Sequence, residues 1–135
     1  MKKFMLLLLL FKMSCICVAS SVDSTIFYPL AVKFQSVCCG VPSDTPLKAA
    51  IQKFKKKNHI KSITAYHIGP LGREGEYIIG FSLAGFKKKQ KAVFINKIKQ
   101  TTSIMKDRGN AVVEINYTNS VSKLPSRVSI EKIEF

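Results

Sequence analysis

The chain has 135 residues, room for one domain but not two. Lys and Arg number 22 against 8 Asp and Glu, a formal charge of +14, and 47% of residues are hydrophobic, which excludes wholesale disorder. With 7 Gly and 5 Pro the chain is neither fibrous nor of low complexity, and it carries no phosphate-loop, zinc-spacing or catalytic-triad signature.

Lys2 and Lys3 open the chain, Phe4 to Phe11 is unbroken apolar sequence, and small and apolar residues resume after Lys12. That run is far short of the ~20 residues that span a bilayer. Residues 1–20 are therefore expected to be a secretory signal, cut after Ala19 or Ser20. Two alternatives stay open. One is a buried N-terminal helix. The other is a lipid anchor on Cys15, where Ser14 fits but Lys12 stands in place of an aliphatic residue. Export would leave residues 21–135 as one domain without a transmembrane span, in the periplasm, secreted or attached to the surface. Lys2, Lys3 and Lys12 leave with the signal and no acid does, so the body stays strongly basic. Cys15 and Cys17 leave too. Cys38 and Cys39 then remain, and neighbours cannot staple distant parts of a fold.

Leu30, Val32 and Phe34 alternate with Ala31, Lys33 and Gln35, the period of a strand over 27–37. Ser43-Asp44-Thr45-Pro46 reads as a helix start with Thr45 as cap and Pro46 at the first helical position. Leu47, Ala50, Ile51 and Phe54 share that helix's inner face, and Asn58-His59 closes it. Strands over 62–68 and 76–83 flank a Gly-rich turn and predict a hairpin. A second helix is predicted over 86–106, with Phe94, Ile98, Thr101 and Met105 at helical spacing and Gly109 as its left-handed cap. Ala111, Val113, Ile115 and Tyr117 predict a fourth strand, and 127–135 a fifth at an edge.

This order predicts an α+β domain and resembles the ferredoxin-like split βαβ arrangement over residues 27–117. The resemblance implies an antiparallel sheet with both helices on one face and an extra C-terminal edge strand. The other sheet face would carry Lys33, Gln35, Val37, Ile78, Ser82, Val112 and Glu114. It must meet water, the C-terminal segment or a partner, and left open it would favour self-association.

The sharpest chemical feature is Cys38-Cys39, where the first strand gives way to the first helix. A thiolate pair there could bind a soft metal, exchange disulfides or close on itself. Its place resembles the heavy-metal-associated domain, whose metal cysteines lie in this first loop of a ferredoxin-like fold. Here the cysteines are adjacent rather than separated by two residues. In an extended strand their side chains would start on opposite faces, poor geometry for chelation. Equally, one thiol could be a small buried hydrophobe and the other a loop residue. Possible anion contacts are Lys55, Lys56, Lys57, Lys87, Lys88 and Lys89 on the helices and Arg73 in the hairpin turn. That turn and the cysteine loop are expected at opposite ends of the sheet. His67 alternates with Ala65 and Ile63 and could point inward, whereas His59 follows a lysine run and is expected to be exposed.

No convergent acid, base and nucleophile set is visible, and no cofactor is expected. The lysine runs lack aromatic residues interleaved for base stacking, so no nucleic-acid partner is expected. The leading expectation is a small exported binding module, non-catalytic, with a basic helix face for an anionic surface such as lipid, cell-wall polymer or an acidic protein. The alternatives are a thiol-redox or soft-metal protein using Cys38 and Cys39, and a homo-oligomer paired through the open sheet face.

Overall fold

A computed structural model describes residues 24–135. The expected signal segment, with Cys15 and Cys17, lies outside the described residues. The elements are β1 (Thr25–Ser36), α1 (Thr45–Lys57), β2 (Thr64–Gly69), β3 (Tyr77–Phe81), α2 (Lys88–Thr102), β4 (Gly109–Ser120) and β5 (Ser129–Glu134). All pairings are antiparallel and the strand order is β4-β1-β3-β2-β5. This is the α+β, ferredoxin-like arrangement with a fifth strand added beside β2.

Period-2 alternation on β1 sends Leu30, Val32 and Phe34 to the helical side, where they are almost wholly buried. They meet Leu47, Ile51 and Phe54 of α1 and Phe94 and Ile98 of α2 in one core. Phe94 lies at its centre, with ring centroids 4.9 Å from Phe54, 5.1 Å from Phe86 and 5.5 Å from Phe81. Ile133 and Phe135 close the same core from the C-terminus.

The opposite face is covered in part. β4 ends beside the start of β1, and β5 begins beside the end of β2. The connection 121–128 must therefore run from one sheet edge to the other and from one end to the other. Its Leu124 and Val128 pack on a second apolar cluster of Tyr28, Ala31, Ile68, Ile78 and Tyr117. Of the three occupants expected for this face, the C-terminal segment takes its apolar centre. Val37 and Val112, at the edge of this face, remain exposed.

Four local details depart from the sequence reading. Asp44, not Thr45, stands at the N-cap position of α1, without a side-chain capping bond, and Thr45 is the first helical residue. α2 begins at Lys88 rather than Phe86, because Lys87 is extended; the Gln90 side-chain oxygen accepts the Lys87 N–H at 2.9 Å. It ends at Thr102, where the Thr101 and Thr102 hydroxyls donate to the Lys97 and Lys99 carbonyls, local bonds that compete with helix continuation. Met105 still reaches the core from the following turn. Gly109 is no helix cap. It opens β4, where a Cβ would overlap the Gln35 carbonyl oxygen.

The fourth departure is a change of phase. Asn116 takes φ 55, a left-handed conformation that Asn tolerates better than most residues. Beyond it Tyr117 turns to the second cluster, away from the side that Ala111 and Val113 occupy. On β1, Pro29 faces this site and Tyr28 makes the same switch. The Tyr28 ring lies over Gly80 of β3, where any Cβ would overlap it. Gly80→Ala is expected to cost about 1–3 kcal/mol by forcing that ring out of place. A urea midpoint unchanged from wild type would contradict the packing described.

Candidate functional site

The chain direction sorts the predicted site residues into two ends. α1 ends and α2 begins at the end of the sheet where β2 starts and β3 stops. Lys55, Lys56 and Lys57 of α1 and Lys87, Lys88 and Lys89 at the start of α2 therefore share one end of the molecule. Between them lies a shallow hollow lined by Asn58, His59, Lys61, Lys87 and Gln90. His59 is exposed there, as expected, at the left-handed φ 51 that ends α1. Arg73 lies in the exposed β2–β3 turn at the opposite end. The structure thus brings the six lysines together and leaves Arg73 apart.

The lysine end opens onto a layer of one sign. α1 carries Lys48, Lys53, Lys55, Lys56 and Lys57, α2 carries Lys88, Lys89, Lys91, Lys97 and Lys99, and neither helix contains an Asp or Glu. The described acids lie on strands, on loops and at the α1 cap. Several of them are paired: Glu114 with Lys33 at 2.6 Å, Asp44 with Lys48 at 2.9 Å and Glu134 with Lys132 at 3.0 Å. Lys55, Lys56 and Lys57 suit the negative end of α1, whereas Lys88 and Lys89 sit against the positive end of α2 and cost the fold a little. Val93 and Ile104 are exposed apolar residues on and just after α2, and Val93 stands one turn from both Lys89 and Lys97.

At the other end the cysteines take an unexpected geometry. The extended backbone stops at Ser36. Cys39 then adopts φ 64 and Gly40 φ 112, so the chain bends back and the two Sγ atoms lie 2.7 Å apart rather than on opposite faces. Both thiols are free and exposed, which corrects the picture of one buried thiol. The Arg108 carbonyl accepts the N–H groups of Val37 and Cys38, and Pro42 is fully buried a few residues on, so the bend is fastened on both sides. The Cys38 sulphur raises the Cys39 thiol pKa most, followed by slight desolvation and the Glu74 charge, while Arg108 lowers it.

The hairpin turn lies near the cysteine loop, contrary to expectation. β1 runs antiparallel to β3 with Phe34 opposite Tyr77, so the end of β1 and the start of β3 coincide. Among the described residues no group of three or more His, Cys, Asp or Glu could hold a metal ion. Any chelation at the bend would rest on two protein sulphurs.

His67 faces the helical side, half-buried, with its ring 4.8 Å from Tyr77. Tyr77 itself stacks on Phe34 at 4.4 Å. Burial first, then the charge of Asp44 and a hydrogen bond to it, hold the Tyr77 hydroxyl proton well above its ordinary value of 10.0. Tyr28 is raised as well, by burial and then by Tyr66 and Tyr117. Unfolded tyrosines lose their protons first, so stability should be full below pH 10.0 and fall as pH rises above it. Tyr77→Phe should make that alkaline fall shallower, as read from urea midpoints at neutral and alkaline pH. An equally steep fall in the variant would contradict the assignment.

Comparison with protein-family models, with curated proteins and with solved structures returned no match. The functional reading therefore rests on the geometry alone. No helix among the described residues is long and apolar enough to cross a membrane.

Proposed function

We propose that the protein is an exported binding module without catalytic activity, which docks on an anionic lipid surface through its two-helix layer. The observation that carries this reading is five lysines on each helix with no acid on either. A folding requirement does not explain Lys88 and Lys89, which oppose the helix dipole. Lipid is favoured over other polyanions by Val93, which stands exposed between Lys89 and Lys97 on α2 and can dip between headgroups. Neither helix exposes an aromatic ring on which a nucleic-acid base could stack.

The test is co-sedimentation with vesicles of phosphatidylcholine alone and of phosphatidylcholine mixed with phosphatidylserine. Binding to the mixed vesicles alone is expected, and it should weaken as salt shortens the screening length from ~10 Å towards ~3 Å. Equal binding to both vesicles, or binding indifferent to salt, would overturn the reading. Binding to an acidic polymer but not to mixed vesicles would keep the basic layer and reject lipid.

A further inference from the structure

The basic layer makes no use of the cysteine bend at the other end of the sheet. We propose that Cys38 and Cys39 form a thiol–disulfide exchange site, which takes up oxidising equivalents from a small-molecule or protein disulfide by closing a bond between the two neighbours.

Three observations carry this. The sulphurs are already 2.7 Å apart, so closure needs an approach of only ~0.6 Å to reach bonding distance. Both are exposed, so an incoming disulfide can reach them. The backbone that turns them together includes a non-glycine residue at φ 64, a conformation that costs free energy. The bend is also presented rather than loose, since the Arg108 carbonyl and buried Pro42 hold its two sides. It opens into a groove of about 420 Å³ whose other wall is formed by Lys106, Asp107, Arg108 and Asn110, with exposed Val37 as an apolar lip.

The exchange balances without a metal or a cofactor. One cysteine thiolate attacks a sulphur of the incoming disulfide, whose S–S bond breaks and releases a first thiolate. The neighbouring cysteine gives its proton to solvent and attacks the protein sulphur of the mixed disulfide, expelling the second thiolate. Two protein thiols are oxidised to one disulfide, and the incoming disulfide is reduced to two thiols. The Cys38 sulphur, and after it Glu74, hold the Cys39 thiol above its ordinary value despite Arg108, which suits Cys39 to the second, resolving attack.

The experiment equilibrates the purified full chain with glutathione and glutathione disulfide at a series of ratios, quenches with acid, alkylates and digests with trypsin. Residues 34–48 form one tryptic peptide holding Cys38 and Cys39, separate from Cys15 and Cys17. The expected result is that this peptide loses two hydrogens as the mixture becomes oxidising, with both thiols vanishing together. Cys39→Ser removes the resolving thiol and should instead accumulate a glutathione adduct on Cys38. Alkylation of both cysteines at every ratio would overturn the proposal. So would independent glutathione adducts on each cysteine of the unaltered chain, a result that needs no variant to fold.

Discussion

Replacing Lys56, Lys57, Lys88 and Lys89 together with alanine is expected to weaken binding to anionic vesicles by about a thousandfold. Each lysine near such a surface contributes ~1 kcal/mol, and ~4 kcal/mol corresponds to roughly three decades of affinity. All four are exposed, at the end of the molecule where α1 stops and α2 starts. Their removal should leave folding stability nearly unchanged. Lys56 and Lys57 are favourable at the C-terminal end of α1, Lys88 and Lys89 are unfavourable at the N-terminal end of α2, and these small terms offset one another. Arg73→Ala, at the far end, should leave vesicle binding as it is. A quadruple variant that binds like the unaltered protein would remove the lysine end from the interface.

Phe94→Ala is expected to destabilise the fold by about 3–5 kcal/mol, a large share of the ~5–15 kcal/mol typical of a domain. The ring is wholly buried and touches aromatic neighbours from α1, from β3 and from the turn before α2. Nothing near it is positioned to fill the space, because Phe54, Phe81 and Phe86 are each held by their own element. With a urea slope of about 2 kcal/mol/M, the midpoint should fall by on the order of 2 M. The neighbouring Val93→Ala, at an exposed position, should change stability by less than about 0.5 kcal/mol. Its effect should fall on vesicle binding instead. A Phe94→Ala midpoint within the range of surface variants would mean that the two helices do not share the core described.

Element order was legible because the chain signals its periods clearly. Leu30, Val32 and Phe34 alternate, Leu47, Ile51 and Phe54 follow a helical face, and Cys38-Cys39-Gly40-Val41-Pro42 breaks the chain between them. Element ends were less legible, since the hydroxyls of Thr101 and Thr102 weaken the end of α2 through local bonds that composition does not display. The switch of Tyr117 to the second face was hidden because it depends on one left-handed residue, Asn116. The same reason hid the thiol geometry. A positive φ at Cys39 cannot be read from residue types, and without it adjacent side chains diverge. The expected separation of the cysteine loop from the hairpin turn failed on pairing: β1 meets β3, so the loop after one lies beside the turn before the other. Val128 was apolar enough to suggest a cover for the second sheet face. Leu124 gave no such sign inside a polar loop.

The most direct test of the docking face is lysine acetylation on the protein alone and bound to phosphatidylserine-containing vesicles, mapped residue by residue. Lys56, Lys57, Lys88, Lys89 and Lys97 should be protected, while Lys123 and Lys132, exposed away from the helices, should react as before. Protection of Lys123 and Lys132 equal to that of the helical lysines would contradict the account.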